Sequence, residues 1–379
     1  MRRYTLLLVI FFCVLSAFWQ EGAGGYVCLS PVSDTALITC DTNVTVSKLQ
    51  KIDSLFQNMV TEKKFNGILL IGRGDSVLYT NFSGYADFQT KRKLTQNSRF
   101  EIASVSKQFT AVAILMLYEQ GKLKLTDKVQ QFIPDFPYSG ITVHQLLCHR
   151  SGLPEYFKFA DEYHKDTNFI IGNDSLLRML NVFKPKILQT PNKKFEYCNT
   201  GYVVLASIVE RVSGMKFTDF VRTKIFKPLN MTETCFYYYD KIPAEVFVMG
   251  NKNATTPYQR DYMSGIVGDK GIYTTANDLF KWSNALDDGK VLKQNTLEMA
   301  FSPKNPERSN CQNYGYGWRI ECDTCQRTMV YHGGLWNGYN TLFVKRSCDR
   351  TTLIILSNIY NRGFSGKSKD FFAVLDLEE

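Results

Sequence analysis

Residues 100–120 constrain the fold of this chain more than any other stretch. From Lys107 to Gln120, apolar side chains fall at Phe109, Val112, Ala113, Met116 and Leu117, the spacing of a helix face that must be buried. Ser104 stands at or just inside the start of that helix, and Lys107 follows three residues on, so the two side chains share one face. A serine there has the positive end of the helix dipole beneath it and a backbone N–H with no intrahelical partner. A lysine one turn away can take the hydroxyl proton if burial favours its neutral form. The stretch therefore reads as a nucleophile and its base at the head of a core helix. The same spacing also suits a helix cap followed by a solvated lysine. A second copy, Ser213-Gly214-Met215-Lys216, is read that way, because its glycine follows the helical run Val203–Val212 and ends it.

What distinguishes Ser104 is the company it keeps. In Phe195-Glu196-Tyr197-Cys198-Asn199-Thr200-Gly201-Tyr202, a phenol that can relay a proton sits two residues from an amide that can hold a carbonyl. Alone, this is also ordinary capping chemistry beside a packing tyrosine. Tyr331-His332-Gly333-Gly334-Leu335-Trp336-Asn337-Gly338-Tyr339 reads as the end of one strand and the start of the next. Its glycines let a strand edge approach a ligand, and His332 adds a polar or cationic side chain. His149–Tyr156 and Gly268–Leu279 look architectural, placing loops and capping helices.

Strand signals lie at both ends of the chain. A hairpin is expected from Phe65 to Phe82, and further strands over Tyr316–Glu321, Met329–His332, Tyr339–Lys345 and Thr351–Ser357. Helical patterns occupy Val46–Glu62, much of residues 122–265 (Ile141–Cys148, Asp174–Phe183, Thr200–Ser213, Phe217–Ile225) and Lys369–Leu377. The expected organisation is an α/β region over about 46–121 and 266–379, interrupted by a helical region over about 122–265, with a site at their junction. With 379 residues, 44% of them hydrophobic, the chain is long enough for a large core.

Met1-Arg2-Arg3 followed by the apolar run Leu6–Leu15 has the layout of a secretory signal peptide, expected over residues 1–23, with a loose entry segment over 24–45. Export to a periplasmic or extracellular space follows, with no stable membrane span after leader removal. The net charge of +9 loses one unit with Arg2, Arg3 and Glu21, leaving about +8. It is spread along the chain without a basic block, which argues against nucleic acid as a partner.

Of ten cysteines, Cys13 leaves with the leader, so an odd nine remain. Cys28–Cys40 is a natural local pair, and Cys311, Cys322, Cys325 and Cys348 can supply two more. Cys322-Asp323-Thr324-Cys325 lacks the setting of a redox motif or a zinc site and is read as a disulfide-bonded turn. At least one free thiol is expected among Cys148, Cys198 and Cys235. Five Asn-x-Ser/Thr sequons occur, at Asn43, Asn81, Asn173, Asn230 and Asn253.

Taken in order, these motifs resemble the penicillin-recognising serine hydrolases, the superfamily of class C-like β-lactamases, D-Ala-D-Ala peptidases and related esterases. Sibling enzymes carry Ser-x-x-Lys with Ser-Asp-Asn and Lys-Thr-Gly; here the second element is Tyr197-Cys198-Asn199 and the third His332-Gly333-Gly334. The resemblance covers about residues 46–360. It implies an antiparallel β-sheet flanked by N- and C-terminal helices, with a mainly helical insertion. By the same resemblance Ser104 is the nucleophile, Lys107 the proton acceptor and Tyr197 the group that delivers the proton to the leaving group. Asn199, His332, Gly333 and Gly334 contact the substrate, and the N–H groups of Ser104 and Gly334 form the oxyanion hole. Neither a metal nor an organic cofactor is implied. The leading expectation is an acyl-serine hydrolase acting on D-Ala-D-Ala-type peptides, amides or esters, small-molecule or peptide substrates of the cell wall. A β-lactamase is the second reading, and a slow or inactive penicillin-binding sensor the third. His332 in place of the usual lysine weakens the fixed charge that receives a substrate carboxylate.

Overall fold

A computed structural model describes residues 27–28, 38–39, 44–63, 65–166, 168–240, 242–254, 256–259, 262–323, 327–360 and 366–377. The leader expected over 1–23, the partners Cys40 and Cys325, and the sequon at Asn43 lie outside these residues. No helix among the described residues is long and apolar enough to cross a membrane.

Seven strands form the central sheet: β1 (Gly67–Arg73), β2 (Ser76–Ser83), β3 (Gln312–Tyr314), β4 (Arg319–Cys322), β5 (Thr328–Trp336), β6 (Tyr339–Arg346) and β7 (Thr351–Ser357). Their order is β3-β4-β5-β6-β7-β1-β2, antiparallel throughout. The helices that frame it are α1 (Val46–Lys63), α2 (Lys107–Glu119), α3 (Tyr156–Tyr163), α4 (Asn199–Ser213), α5 (Ala276–Asp287) and α6 (Ser368–Leu375).

Strand side chains alternate between two apolar layers, as a pleat requires. Leu69, Ile71, Met329, Val344 and Ile355 pack beneath Ile52 and Phe56 of α1 and Phe371 and Phe372 of α6. Ile68, Leu70, Val330, Phe343 and Ile354 face the larger core, which holds α2, α4 and α5. Helix α2 lies deep inside: from Lys107 to Leu117 only Met116 is not fully buried. A mostly apolar helix buried on every side is stable only where protein surrounds it, and its buried polar residues Lys107, Gln108 and Thr110 must then find partners within the protein.

The nucleophile region departs from a plain helix start. Ser104 lies in a 3-10 turn, Ala103–Ser106, that feeds α2. Ala103 before it adopts φ 46°, a left-handed conformation costing a residue with a Cβ about 1–2 kcal/mol. The second Ser-x-x-Lys is the helix end expected of it. Gly214 caps α4 in the left-handed conformation, and Lys216 is exposed beside Asp174.

One disulfide expected among the C-terminal cysteines forms, but not as a bonded Cys322–Cys325 turn. Cys322 is bonded to Cys311, with Cα atoms 4.9 Å apart, so no bonded Cys322–Cys325 turn forms. The register explains the choice. Gln312 faces Glu321 and Tyr314 faces Arg319, which sets Cys311 directly opposite Cys322 one step further along. Cys148, Cys198 and Cys235 are free and buried, and Cys348 is also free. Among the sequons, Asn173 is buried, its amide bonded at both ends to the Val267 main chain.

Glu101 lies three residues before Ser104, on the short strand Phe100–Glu101. Its carboxylate accepts from the Gly271 N–H at 3.2 Å and the Tyr273 hydroxyl at 3.0 Å. Burial, opposed by the nearby Lys270 ammonium, lifts its pKa to about 7. The folded chain therefore keeps a proton that the unfolded chain releases near pH 4.5. This contribution to stability is full below that pH and is lost as pH rises through about 7. Melting temperature is expected to fall from pH 5 to pH 8, and Glu101→Gln to flatten that fall. Parallel curves for the two proteins would rule this out.

Candidate active site

Ser104, Lys107 and Tyr197 meet, although 93 residues separate the first from the last. The Lys107 ammonium nitrogen donates to Ser104 Oγ at 3.0 Å, and the Tyr197 hydroxyl donates to the same oxygen at 3.0 Å. Lys107 is wholly buried. Its nitrogen also donates to Asn199 Oδ1 at 2.8 Å and to the Asp269 carbonyl at 2.9 Å. Both of those partners only accept. They hold two N–H bonds of the lysine and leave its third position aimed at Ser104, occupied by a proton in the ammonium and by a lone pair in the amine. Ser104, Tyr197 and Asn199 are all partly exposed, so solvent reaches the group.

The two stretches read as architectural hold these side chains directly. His149 Nδ1 accepts from the Cys198 N–H at 3.1 Å, and its ring lies 4.3 Å from that of Tyr197. Burial, reinforced by the Lys107 charge, keeps His149 well below the usual imidazole range, hence neutral. Gly268–Gly271 presents the Asp269 carbonyl to Lys107, and the Thr110 hydroxyl secures the loop by donating to the Gly268 carbonyl at 2.6 Å. Cys198 itself packs inward, its thiol raised to about 12 by burial.

Glu155 belongs to the site and was not anticipated. Its Oε2 accepts from the Asn199 backbone N–H at 2.9 Å and from Nδ2 at 3.0 Å. One carboxylate oxygen thus caps α4 and turns the Asn199 amide so that its oxygen faces Lys107. Burial raises the Glu155 pKa. Nothing in the local pattern marks this residue, because its partner is 44 positions away.

His332 does not supply a charge. It is buried, with Nδ1 2.8 Å from the Gly333 carbonyl and Nε2 3.1 Å from the Tyr314 hydroxyl. A carbonyl can only accept, so Nδ1 carries the hydrogen and Nε2 accepts from Tyr314. Burial, then the Arg319 and Lys107 charges, hold its pKa well below the imidazole range. The expected polar or cationic wall is a neutral ring turned into the protein.

The β5–β6 hairpin corrects the second oxyanion donor. Asn337 and Gly338 both have positive φ, 44° and 85°, and Trp336 faces Tyr339, which is a two-residue turn closed by a hydrogen-bonded pair. Bonded pairs then recur at every second residue, at Gly334–Thr341 and His332–Phe343. The Gly334 N–H is spent on β6, and the main-chain groups of Gly333 and Leu335 point to the other edge. Strand β4 pairs with β5 only as far as Tyr331, so that edge is open from His332 to Trp336. Gly334 has another role: a Cβ there would collide with the Ile102 carbonyl and the Thr341 hydroxyl, and its absence lets the Ser104 turn sit against β5. The Ser104 N–H has no main-chain acceptor among the described residues.

Arg319 completes the site. It starts β4 opposite Tyr331, and its guanidinium carbon lies 5.3 Å from the centre of the Tyr197 ring. Among the described residues no carboxylate pairs with it, and it is partly exposed. It restores a positive charge to the wall that neutral His332 leaves without one. A single arginine in a strand carries no motif, so only the tertiary structure reveals it.

Comparison with known proteins agrees with this geometry. A family model described as Beta-lactamase matches residues 52–377. Penicillin-binding protein 4* of Bacillus subtilis (strain 168) is 36% identical over 329 residues, spanning 82% of this chain and 72% of that protein. The crystal structure of D-amino acid amidase from Ochrobactrum anthropi SV3 superimposes with a TM-score of 0.71 at 25% identity, covering 86% of this chain and 98% of that one. The octameric penicillin-binding protein homologue from Pyrococcus abyssi does so with a TM-score of 0.73 at 25% identity, covering 86% and 76%.

Proposed function

Because the chain belongs to the beta-lactamase family of serine hydrolases, we propose that it cleaves acyl-D-amino-acid amides or esters through an acyl-serine at Ser104, with peptides ending in a D-amino acid carboxylate as the preferred class. The observation that carries this reading is the pair of 3.0 Å contacts that Lys107 and Tyr197 make with one partly exposed hydroxyl.

Ser104 Oγ attacks the scissile carbonyl as its proton passes to the Lys107 amine. The new oxyanion lies between the N–H groups of Ser104 and Leu335; each donor of such a hole is commonly worth about 3 kcal/mol. The carbon–nitrogen or carbon–oxygen bond then breaks, and the proton travels through the Tyr197 hydroxyl to the leaving group. Water repeats the sequence on the acyl-serine, releasing the acid and restoring the hydroxyl. Asn199, held by Glu155, orients the substrate amide. The open edge of β5 at Gly333 and Leu335 receives the substrate backbone, and Arg319 takes the terminal carboxylate beside Tyr197. We further infer that residues 1–23 are removed as a leader and that the protein acts outside the cytoplasm, which the Cys311–Cys322 bond supports.

The test is incubation with a fluorophosphonate and with a fluorescent penicillin, followed by peptide mapping. The adduct is expected on the peptide bearing Ser104, and the penicillin label is expected to decay as the enzyme turns over. Label elsewhere, or none, would overturn the proposal, and penicillin label that persists would favour a sensor. Arg319→Ala is expected to raise KM for a D-Ala-D-Ala peptide about 30-fold or more, the scale of a lost charge-assisted pair. An uncharged acyl ester should show no such change. Equal effects on both substrates would remove Arg319 from carboxylate recognition.

A further inference from the structure

Five large apolar side chains stand exposed within one short part of the chain: Phe169 and Ile170, then Val182, Phe183 and Leu188. Single apolar residues scattered over a surface need no explanation, but a group of them does. Core packing does not supply one. The helix Asn173–Phe183 already buries Leu176, Leu177 and Leu180 on its inward face, and at 100° per residue Val182 lies on the opposite side. Tyr163, at the end of α3, stacks on Phe183 with ring centres 4.0 Å apart and planes 3° apart. His164, the next residue, has Nε2 3.3 Å from the Phe169 carbonyl. The loop after α3 and the end of this helix therefore share one surface.

The surface continues along Lys184-Pro185-Lys186-Ile187-Leu188, which is tied down through its backbone. Lys184 ends the helix in the left-handed conformation, φ 47°, a place that glycine usually takes. Tyr138 donates to the Pro185 carbonyl at 2.5 Å, and the Leu188 N–H to the Gly152 carbonyl at 2.8 Å. Charge along the strip is one-sided. Between Asp174 and Glu196 the chain carries Arg178, Lys184, Lys186, Lys193 and Lys194 and no carboxylate, and all five cations are exposed. Glu196 lies 4.0 Å from Lys194 at the far end. On the α3 side, Lys158 and Lys165 stand among Asp161, Glu162 and Asp166. Asp161 there accepts from the Tyr262 hydroxyl at 2.6 Å, and Asp166 from the Asn168 N–H at 3.1 Å.

We infer that this strip docks the protein on the surface of an anionic lipid bilayer. Phe169, Val182, Phe183 and Leu188 enter the boundary between headgroups and acyl chains, and Lys184, Lys186 and Arg178 meet the headgroup phosphates. Exposed apolar groups beside unopposed cations match both layers of such an interface, one by burial and the other by charge. A purely polar polyanion would leave the apolar groups in water, and a second copy of the strip would set cation against cation. The bond from Leu188 to Gly152 sets the strip beside the loop that carries His149 and Glu155, so docking holds the Ser104 site near the lipid surface. The inference concerns this surface alone and stands whether or not Ser104 is acylated.

The test is amide hydrogen exchange, read peptide by peptide, on the full chain with phosphatidylcholine vesicles containing about 30 mol % phosphatidylglycerol. Exchange across residues 164–172 and 181–190 is expected to slow about threefold or more. Pure phosphatidylcholine, or 1 M salt with its screening length of about 3 Å, should remove most of that protection. Because the readout is local, any contact that residues 1–23 make with lipid does not enter it. In vesicle sedimentation, Phe183→Ser/Leu188→Ser and Lys184→Glu/Lys186→Glu should each weaken partitioning about tenfold or more. Val77→Ser, which removes an apolar side chain 46% exposed on β2, should partition as wild type does. Should a double variant not fold, the exchange pattern of wild type decides alone. No protection in the two peptides overturns the docking surface, as does equal protection by soluble polyglutamate. Protection that rises with protein concentration in the absence of vesicles marks self-association and overturns it too.

Discussion

Ser104→Ala is expected to yield a folded protein that forms no covalent adduct and hydrolyses no substrate above background. The loss in kcat should be on the order of 10⁴-fold or more, since removal of the nucleophile leaves only binding and oxyanion stabilisation. Little else changes. Ser104 Oγ is partly exposed, and its removal costs Lys107 one of three acceptors while Asn199 Oδ1 and the Asp269 carbonyl remain. The melting temperature should therefore stay close to that of wild type. Ser213→Ala is the matched control, because that hydroxyl merely accepts from the Met215 N–H at 3.2 Å at a helix end. Fluorophosphonate labelling with mass mapping reads both variants. Undiminished label on Ser104→Ala would end the acyl-serine mechanism.

Lys107→Met is expected to slow acylation by roughly 10³-fold or more, within the range general-base removal produces. Methionine has a similar reach and suits the buried surroundings. It leaves Asn199 Oδ1 and the Asp269 carbonyl without their donor, at a cost of about 1–3 kcal/mol per unpaired group. That cost is offset in part because a buried ammonium is itself expensive, so the variant should fold. Lys107→Arg separates charge from proton transfer. A guanidinium keeps the positive charge but cannot be deprotonated in a protein, so this variant should be as slow as Lys107→Met. Pre-steady-state labelling with a fluorescent penicillin gives the acylation rate. Near-normal acylation by Lys107→Arg would show that Lys107 acts by its charge and that the base lies elsewhere.

How much of this was legible beforehand depended on range. The α2 helix and the β1–β2 hairpin could be read because their signals lie within a few residues of each other, in apolar spacing and turn chemistry. The meeting of Ser104, Lys107 and Tyr197 was expected only because three separate motifs occurred together in a known order. Single residues with distant partners escaped. Glu155 acts through Asn199 and Arg319 through its place beside Tyr197, and neither relation leaves a trace in the neighbouring sequence. That the Leu335 N–H, and not the Gly334 N–H, faces the open edge was partly legible. Asn337-Gly338 is a strong two-residue turn signal, and counting back from it assigns each residue of β5 to one edge or the other.

The order of residues alone determined where most helices and strands lie (though not the short strand Gln312–Tyr314), where the core helix begins, and which side chains can attack a carbonyl, because those depend on local spacing and intrinsic chemistry. Tertiary structure decided everything that depends on surroundings. Burial made His332 neutral, register placed Cys311 opposite Cys322 and turned the Leu335 N–H to the open edge, and packing of β4 beside the Tyr197 loop set Arg319 where a charge was missing. Burial, register and proximity arise only when segments far apart in the chain are brought together, which is why no reading along the chain could supply them.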